Sequence, residues 1–277
     1  MSDFFDATRI ADNEENYRTS LIAAFETARN ADSVSPISQR IIRRNRTGTP
    51  SAANPASRLD WATTISDVLE DQFCTQHLHH RPDLFFVTLI DRDWLTSVNS
   101  PVDLVQMKRK IRTAVSGHSC IFVIEPGYYA NIQNGLFPDR TCISWHVHGL
   151  MWGINADGMR ALVDGINHSA KYRTMIPTRT PAHSVAVKQR HLPRFVGYMA
   201  KPPAKAYRVF CHRKRQKERE RVLGIETPAT YEQRSQALRP GERVRLLHAL
   251  KDIDPSDLLV GGRDGRQLTQ RIHSLLR

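Results

Sequence analysis

The hydrophobic pattern of the chain alternates between helical and strand periods, and it predicts a mixed α+β protein. Tyr17, Leu21, Ala24, Phe25 and Ala28 recur at helical spacing, giving a helix over about residues 14–30. Trp61, Ile65, Val68, Leu69 and Phe73 predict a second, with Ser57 and Asp60 as a capping-box-like start. Leu84-Phe-Phe-Val-Thr-Leu-Ile90 is nearly continuous in apolar, β-favouring residues and reads as a buried central strand. Leu104, Met107, Ile111 and Val115 mark a helix, bracketed by Ser100 as N-cap, Pro101, Asp103 and Gly117. His118–Glu125 is expected as a strand halted by Pro126-Gly127, and Arg140–Trp152 as its antiparallel hairpin partner. Asn155 caps a helix carrying Met159, Leu162, Val163 and Ile166, and His183–Lys188 alternates as a strand. A helix over His191–Lys201 follows, with Leu192, Phe195, Val196 and Met199 as its apolar stripe, and Pro202-Pro203 ends it. Beyond Lys205 the pattern reads as basic and helical to the end of the chain.

Composition fits 277 residues of an ordinary globular protein, 40% hydrophobic and 25% charged. No stretch matches a membrane span and no signal-peptide pattern opens the chain, so an intracellular, cytoplasmic location is expected, with no membrane partner. The cysteines Cys74, Cys120, Cys142 and Cys211 form no CxxC pair, which argues against a disulfide framework or a four-thiolate zinc site. A net charge of +12 and a pI of about 9.9 favour a polyanionic partner, with nucleic acid foremost. The charge is clustered: Arg40, Arg43, Arg44 and Arg46 lie in a Ser- and Pro-rich stretch, and Lys205–Arg221 holds eight Lys and Arg. The first cluster sits in a segment expected to be a flexible basic linker, either a solvated tether or a DNA-tracking arm.

Candidate chemistry centres on Trp145-His-Val-His-Gly149. In a strand, period-2 alternation sends His146 and His148 to one face and Trp145, Val147 and Gly149 to the other. Imidazoles about 6 to 7 Å apart along a strand can share a divalent ion if a third ligand approaches. His77-Leu-His79 is a decoy of the same form, reading as exposed polar residues at a helix end. On the helix before Pro202, Arg194, Tyr198 and Lys201 share one ridge, so a tyrosine is flanked by two cations.

In order, these pieces are a Phe-Val-Thr-Leu strand, a strand with Glu, a His-x-His strand and a Tyr-x-x-Lys helix. The sequence thereby resembles the His-hydrophobic-His (HUH) endonuclease superfamily, specifically single-tyrosine rolling-circle replication initiators. Phe86-Val-Thr-Leu-Ile90 looks like the first motif of that family, His146-Val-His148 like the second and Tyr198-Met-Ala-Lys201 like the third, over roughly residues 82–210. Ile90 departs from the usual last Thr of the first motif, and Tyr207, nine residues beyond Tyr198, is not expected to be a second nucleophile.

The resemblance implies an α+β fold with a central antiparallel sheet, flanking helices and a ferredoxin-like arrangement. The expected organisation is an N-terminal helix (1–31), the basic linker (32–57), an endonuclease domain (58–210) and a basic helical C-terminal extension (211–277). It further implies Mg²⁺ or Mn²⁺ at His146, His148 and Glu125, Tyr198 as nucleophile and Lys201 as its cationic partner. The implied activity is nicking and joining of single-stranded or hairpin origin DNA through a 5′-phosphotyrosine, initiating replication of a plasmid, phage or related element. Arg194, Lys205, Arg208, Arg213, Lys214, Arg215, Arg43 and Arg44 are the candidate DNA contacts. The absence of a P-loop motif leaves unwinding to a host helicase. A relaxase or single-strand transposase would share the chemistry, though relaxases usually carry a third histidine. A basic, non-catalytic DNA-binding protein with a structural His-x-His pair is the reading from a different class.

Overall fold

The computed structural model describes residues 7–27, 50–75, 82–132, 136–177, 179–211 and 231–276. Its three long strands are those the apolar runs predict: β1 (Leu84–Thr96), β2 (Ser119–Ala130) and β3 (Thr141–Trp152). β3 lies between β1 and β2 and is antiparallel to both. Outside β1 runs β4 (Ala182–Ala186), also antiparallel. The other edge of β2 is divided between two partners. Residues 120–123 pair antiparallel with β7 (Leu259–Gly262), and residues 128–130 pair parallel with β5 (Lys205–Cys211). β6 (Tyr231–Ala237) closes that side against β5. The sheet is therefore mixed rather than wholly antiparallel, and β2 is buried along its whole length.

Seven α-helices accompany the sheet among the described residues: α1 (Ala7–Thr27), α2 (Pro55–Glu70), α3 (Leu104–Ala114), α4 (Ala156–His168), α5 (Leu192–Ala200), α6 (Pro240–Leu250) and α7 (Gly265–Leu276). None is long and apolar enough to cross a membrane. α5 packs on β2 and β3, α2 packs on α5 and α7, and α1 packs on α2 and α6. One apolar cluster runs through these layers, joining Leu21, Trp61, Ile65, Ile111, Phe122, Val147, Val196, Leu247, Val260 and Ile272. A second, smaller cluster around Tyr129, Leu136, Cys142, Met175, Ile176 and Val209 lies toward the far ends of β2 and β3. Gly149 shows how tightly β2 and β3 approach: a Cβ there would stand 2.1 Å from the Ile121 carbonyl oxygen. Only glycine fits.

Several expectations change. Helix α2 starts earlier than Ser57, because Asn54 Oδ1 accepts from Ala56 N–H at 2.8 Å and Pro55 takes the first turn. The end of the supposed linker is thus part of the core: Ser51, Ala52 and Ala53 are buried, and Ala52 N–H donates to Ile253 O at 2.7 Å. α3 is capped by Asp103, which accepts from Gln106 N–H at 2.8 Å, rather than by Ser100. Pro126-Gly127 does not halt β2, which continues in register with Trp145 and Ser144 on β3. The C-terminal stretch is not wholly helical: Lys205–Cys211, Tyr231–Ala237 and Leu259–Gly262 add strands to the main sheet. Their alternation is short and interrupted by charge, so basic composition masked it. Arg43, Arg44, Arg213, Lys214, Arg215, His77 and His79 lie outside the described residues.

Candidate metal centre

Register creates the site. In the β2–β3 ladder Glu125 stands directly opposite His146, and in the β1–β3 ladder Thr88 stands opposite His148. Side chains directly opposite across a ladder share a face, so Glu125, His146, His148 and Thr88 converge on the surface beneath α5. Trp145 and Val147 are buried, with Trp145 Nε1–H donating to Thr96 Oγ1 at 3.1 Å. The imidazole centroids are 4.7 Å apart and nearly perpendicular.

Each ring is oriented through its Nδ1. His146 Nδ1 lies 3.1 Å from the Ser144 carbonyl oxygen, which can only accept, so this nitrogen carries the proton. His148 Nδ1 lies 2.8 Å from Thr88 Oγ1. Both Nε2 atoms face one carboxylate, at 3.8 Å and 3.5 Å from Glu125 Oε2. Burial keeps both imidazoles neutral. It lowers His146 against the opposing pull of Glu125, and drives His148 down to about 2, aided by the neighbouring His146 and Lys201. Two neutral imidazole nitrogens and a carboxylate oxygen within 4.8 Å of one another form a set that could hold a metal ion. The Nδ1 partners, Ser144 O and Thr88 Oγ1, stand where outer-shell supports of metal-bound histidines stand.

α5 brings the tyrosine and lysine over this cluster. Phe86 anchors the helix, its ring 4.8 Å from Phe195, 5.7 Å from Tyr198 and 5.7 Å from His148. The Tyr198 ring sits edge-to-face with His148 at 5.0 Å, yet Tyr198 is 42% exposed. Lys201 Nζ lies 3.7 Å from the Tyr198 ring centroid and donates to both oxygens of Glu125, at 2.8 and 2.7 Å. The ammonium therefore links the helix to the third ligand of the metal set. Tyr207 also reaches this region, its ring 3.4 Å from where a Cβ on Gly127 would be and stacked 5.0 Å from Tyr129. Burial, with Glu125 and Tyr198 nearby, pushes its phenol up to about 12.

Of the expected site residues, Glu125, His146, His148, Tyr198 and Lys201 come together. Arg194 and Lys205 are exposed, and Arg194 lies on the tyrosine helix. Arg208 does not fit a DNA contact: it is buried, its guanidinium bonded to Glu242 at 2.7 and 3.0 Å and to Gln236 at 2.9 Å. Its strand position points it inward, and composition alone cannot separate such an arginine from a surface one. Thr88 and Ser144 are the contributors that composition gave no role. Thr88 belongs to the Phe-Val-Thr-Leu run, where its polarity amid apolar neighbours was the available signal.

No protein family, curated protein or solved structure matches this chain. What fold and site define is an α+β protein with a mixed sheet bearing a His-His-Glu cluster beneath a tyrosine- and lysine-bearing helix.

Proposed function

We propose that the protein is a metal-dependent, single-strand DNA nicking and joining enzyme of the HUH replication-initiator type. The observation that carries this reading is the convergence of Glu125, His146 and His148 with Tyr198 and Lys201 on one sheet face. The sequence carries these residues on three separate elements, and their meeting over one sheet face supports the reading.

In this reading His146, His148 and Glu125 would hold Mg²⁺ or Mn²⁺, which would supply Lewis-acid stabilisation of a phosphodiester oxygen. Tyr198 Oη forms the new bond to phosphorus, its proton passing to the solvent that reaches this exposed side chain. The bond from phosphorus to the 3′ oxygen breaks, and that oxygen takes a proton to become a free 3′-OH. The phosphotyrosyl link conserves the bond energy, so the reverse attack rejoins a strand without a nucleotide cofactor. Lys201, against both the Tyr198 ring and Glu125, stabilises the negative charge that develops as the phenolate forms. Arg194 on the same helix, with Lys205 nearby in sequence, offers phosphate contacts to the flanking strand. Rolling-circle initiation on origin DNA, with unwinding by a separate helicase, is the setting this chemistry suits.

One observation favours a second reading. Lys201 already neutralises Glu125, so the cluster is electrostatically closed without a metal, as in a basic DNA-binding protein whose histidines only pack. Incubation with single-stranded oligonucleotides from DNA flanking the gene, with and without Mn²⁺, separates the two. The enzyme reading expects a protein–DNA adduct on denaturing gels that is lost with EDTA and with Tyr198→Phe. Binding without any adduct supports the second.

A further inference from the structure

The helix that carries Tyr198 and Lys201 ends where the chain cannot complete it. Each late carbonyl of a helix needs a donor from outside the helix, and the two residues after Lys201 are Pro202 and Pro203, which carry no N–H. Lys201 itself has left helical geometry, with φ −57° and ψ 145°. Pro202 and Pro203 are themselves buried.

The N–H groups absent at Pro202 and Pro203 are those that would reach Tyr198 O and Met199 O; Tyr198 O takes Lys201 Nζ at 3.5 Å, and Arg58, on α2, takes the next two carbonyls. Its Nη2 donates to Ala200 O at 3.0 Å and to Lys201 O at 2.8 Å. The side chain is 3% exposed, an unusual depth for arginine. Two groups pack against it there: the Glu14 carboxyl on α1, with Oε1 3.4 Å from Nε, and the Trp61 ring, 5.7 Å from the guanidinium carbon. Glu14 is itself buried, at 3% exposure. A buried ion pair is weak evidence for stability as such. Here the guanidinium serves the last carbonyl of the tyrosine helix, that of Ala200, and the carbonyl of Lys201 just beyond it.

We propose that Arg58 is a positioning residue for the nucleophile helix: held by Glu14, its guanidinium fixes the terminal turn of α5 and so sets where Tyr198 and Lys201 stand over the Glu125, His146 and His148 cluster. The proposal deepens the nicking reading and rests on Tyr198 being the nucleophile. It also assigns α1, outside the residues the motifs cover, a part in the reaction. Glu14 acts through Arg58, and Arg58 through the backbone of α5. Neither touches the reacting atoms.

The test uses the full chain and compares Arg58→Met, Arg58→Lys, Glu14→Gln and the charge-neutral pair Glu14→Gln/Arg58→Met. Three quantities are read: the single-turnover rate of adduct formation with Mn²⁺ at saturating single-stranded oligonucleotide, the Mn²⁺ affinity, and the acylation rate of Lys201 by an amine-reactive reagent, followed by mass spectrometry. Displacements of about 1 Å can lower a rate on the order of 100-fold. Arg58→Met is expected to slow adduct formation about 10- to 100-fold, leave Mn²⁺ affinity unchanged or raised by up to several-fold, and raise Lys201 acylation several-fold as its contact with Glu125 loosens. Arg58→Lys, which keeps a donor at the carbonyls, recovers part of the rate. If Arg58→Met fails to fold, the charge-neutral pair takes its place with the same expectations. Unchanged rate and unchanged Lys201 acylation overturn the proposal. So does a parallel fall in rate, Mn²⁺ affinity and thermal midpoint, which marks a role in folding only. An adduct that persists in Tyr198→Phe overturns the nucleophile reading instead, and Lys201 acylation still reports on Arg58 in that case.

Discussion

Lys201 Nζ and the Glu125 carboxylate form a two-oxygen ion pair, at 2.8 and 2.7 Å, in the place where a divalent cation would share the same carboxylate. The two cations compete for one anion, and like charges this close repel by about 1 to a few kcal/mol at the dielectric of a protein surface. Lys201→Met is therefore expected to have opposite effects on binding and chemistry. Mn²⁺ affinity should rise about 3- to 10-fold, while adduct formation falls by at least about 10-fold as the charge beside Tyr198 is lost. Titration calorimetry and denaturing gels read the two quantities separately. Weaker Mn²⁺ binding in this variant would place the metal away from Glu125.

Thr88 orients His148 through a 2.8 Å contact between Oγ1 and Nδ1. Thr88→Val keeps shape and removes the hydroxyl, leaving the imidazole free to turn or change tautomer. Outer-shell losses of this kind weaken metal binding roughly 10-fold or more. The expected outcome is that loss in Mn²⁺ affinity with the near-UV circular dichroism of the fold intact. Unchanged affinity would show that packing against Phe86 is enough to hold the ring.

Glu14 predicts a pH dependence of stability. Burial, opposed by the Arg58 charge, pushes its carboxyl up to about 7 from the ordinary 4.5. Tyr17 and Arg243 also face this cluster. Between about pH 4.5 and 7 the folded chain holds a proton that the unfolded chain has released, so stability falls as pH rises through that window and levels off above it. Glu14→Gln removes this term. Urea unfolding from about pH 5 to about pH 8 should show wild type losing on the order of 1 to 3 kcal/mol relative to the variant. A pH-independent difference would mean that Glu14 stays charged in the folded protein.

Arg208 separates structure from DNA affinity. Its fork to Glu242 is buried, and Glu242 also accepts from Arg239 N–H at 2.8 Å. Arg208→Met strands that carboxylate and should destabilise the fold by about 3 to 5 kcal/mol, with little change in the salt dependence of DNA binding by the protein that remains folded. Arg194→Ala and Lys205→Ala should do the reverse: near-normal stability, with the slope of log affinity against log salt reduced by up to about 1 each. An unchanged slope for both would move the DNA path off this side of α5.

The sequence by itself determined the strands and helices that carry the cluster, because apolar periodicity is a local signal. Leu84–Ile90 and the run around His146 are dense in β-branched and aromatic residues, and the stripe from Leu192 to Met199 repeats at helical spacing. It also determined that His146 and His148 share a face, which follows from alternation alone. Tertiary structure decided which residues stand opposite them. The register that sets Glu125 against His146 and Thr88 against His148 is fixed by packing across whole strands, down to the close approach at Gly149, and no short motif encodes it. It likewise decided the fates of two arginines. Arg208 reads from sequence as one more charge in a basic segment, and Arg58 as a polar position on a helix. Burial turned the first into a structural ion pair and the second into the cap of the helix that bears Tyr198 and Lys201, because a buried guanidinium must find its acceptors wherever the fold presents them.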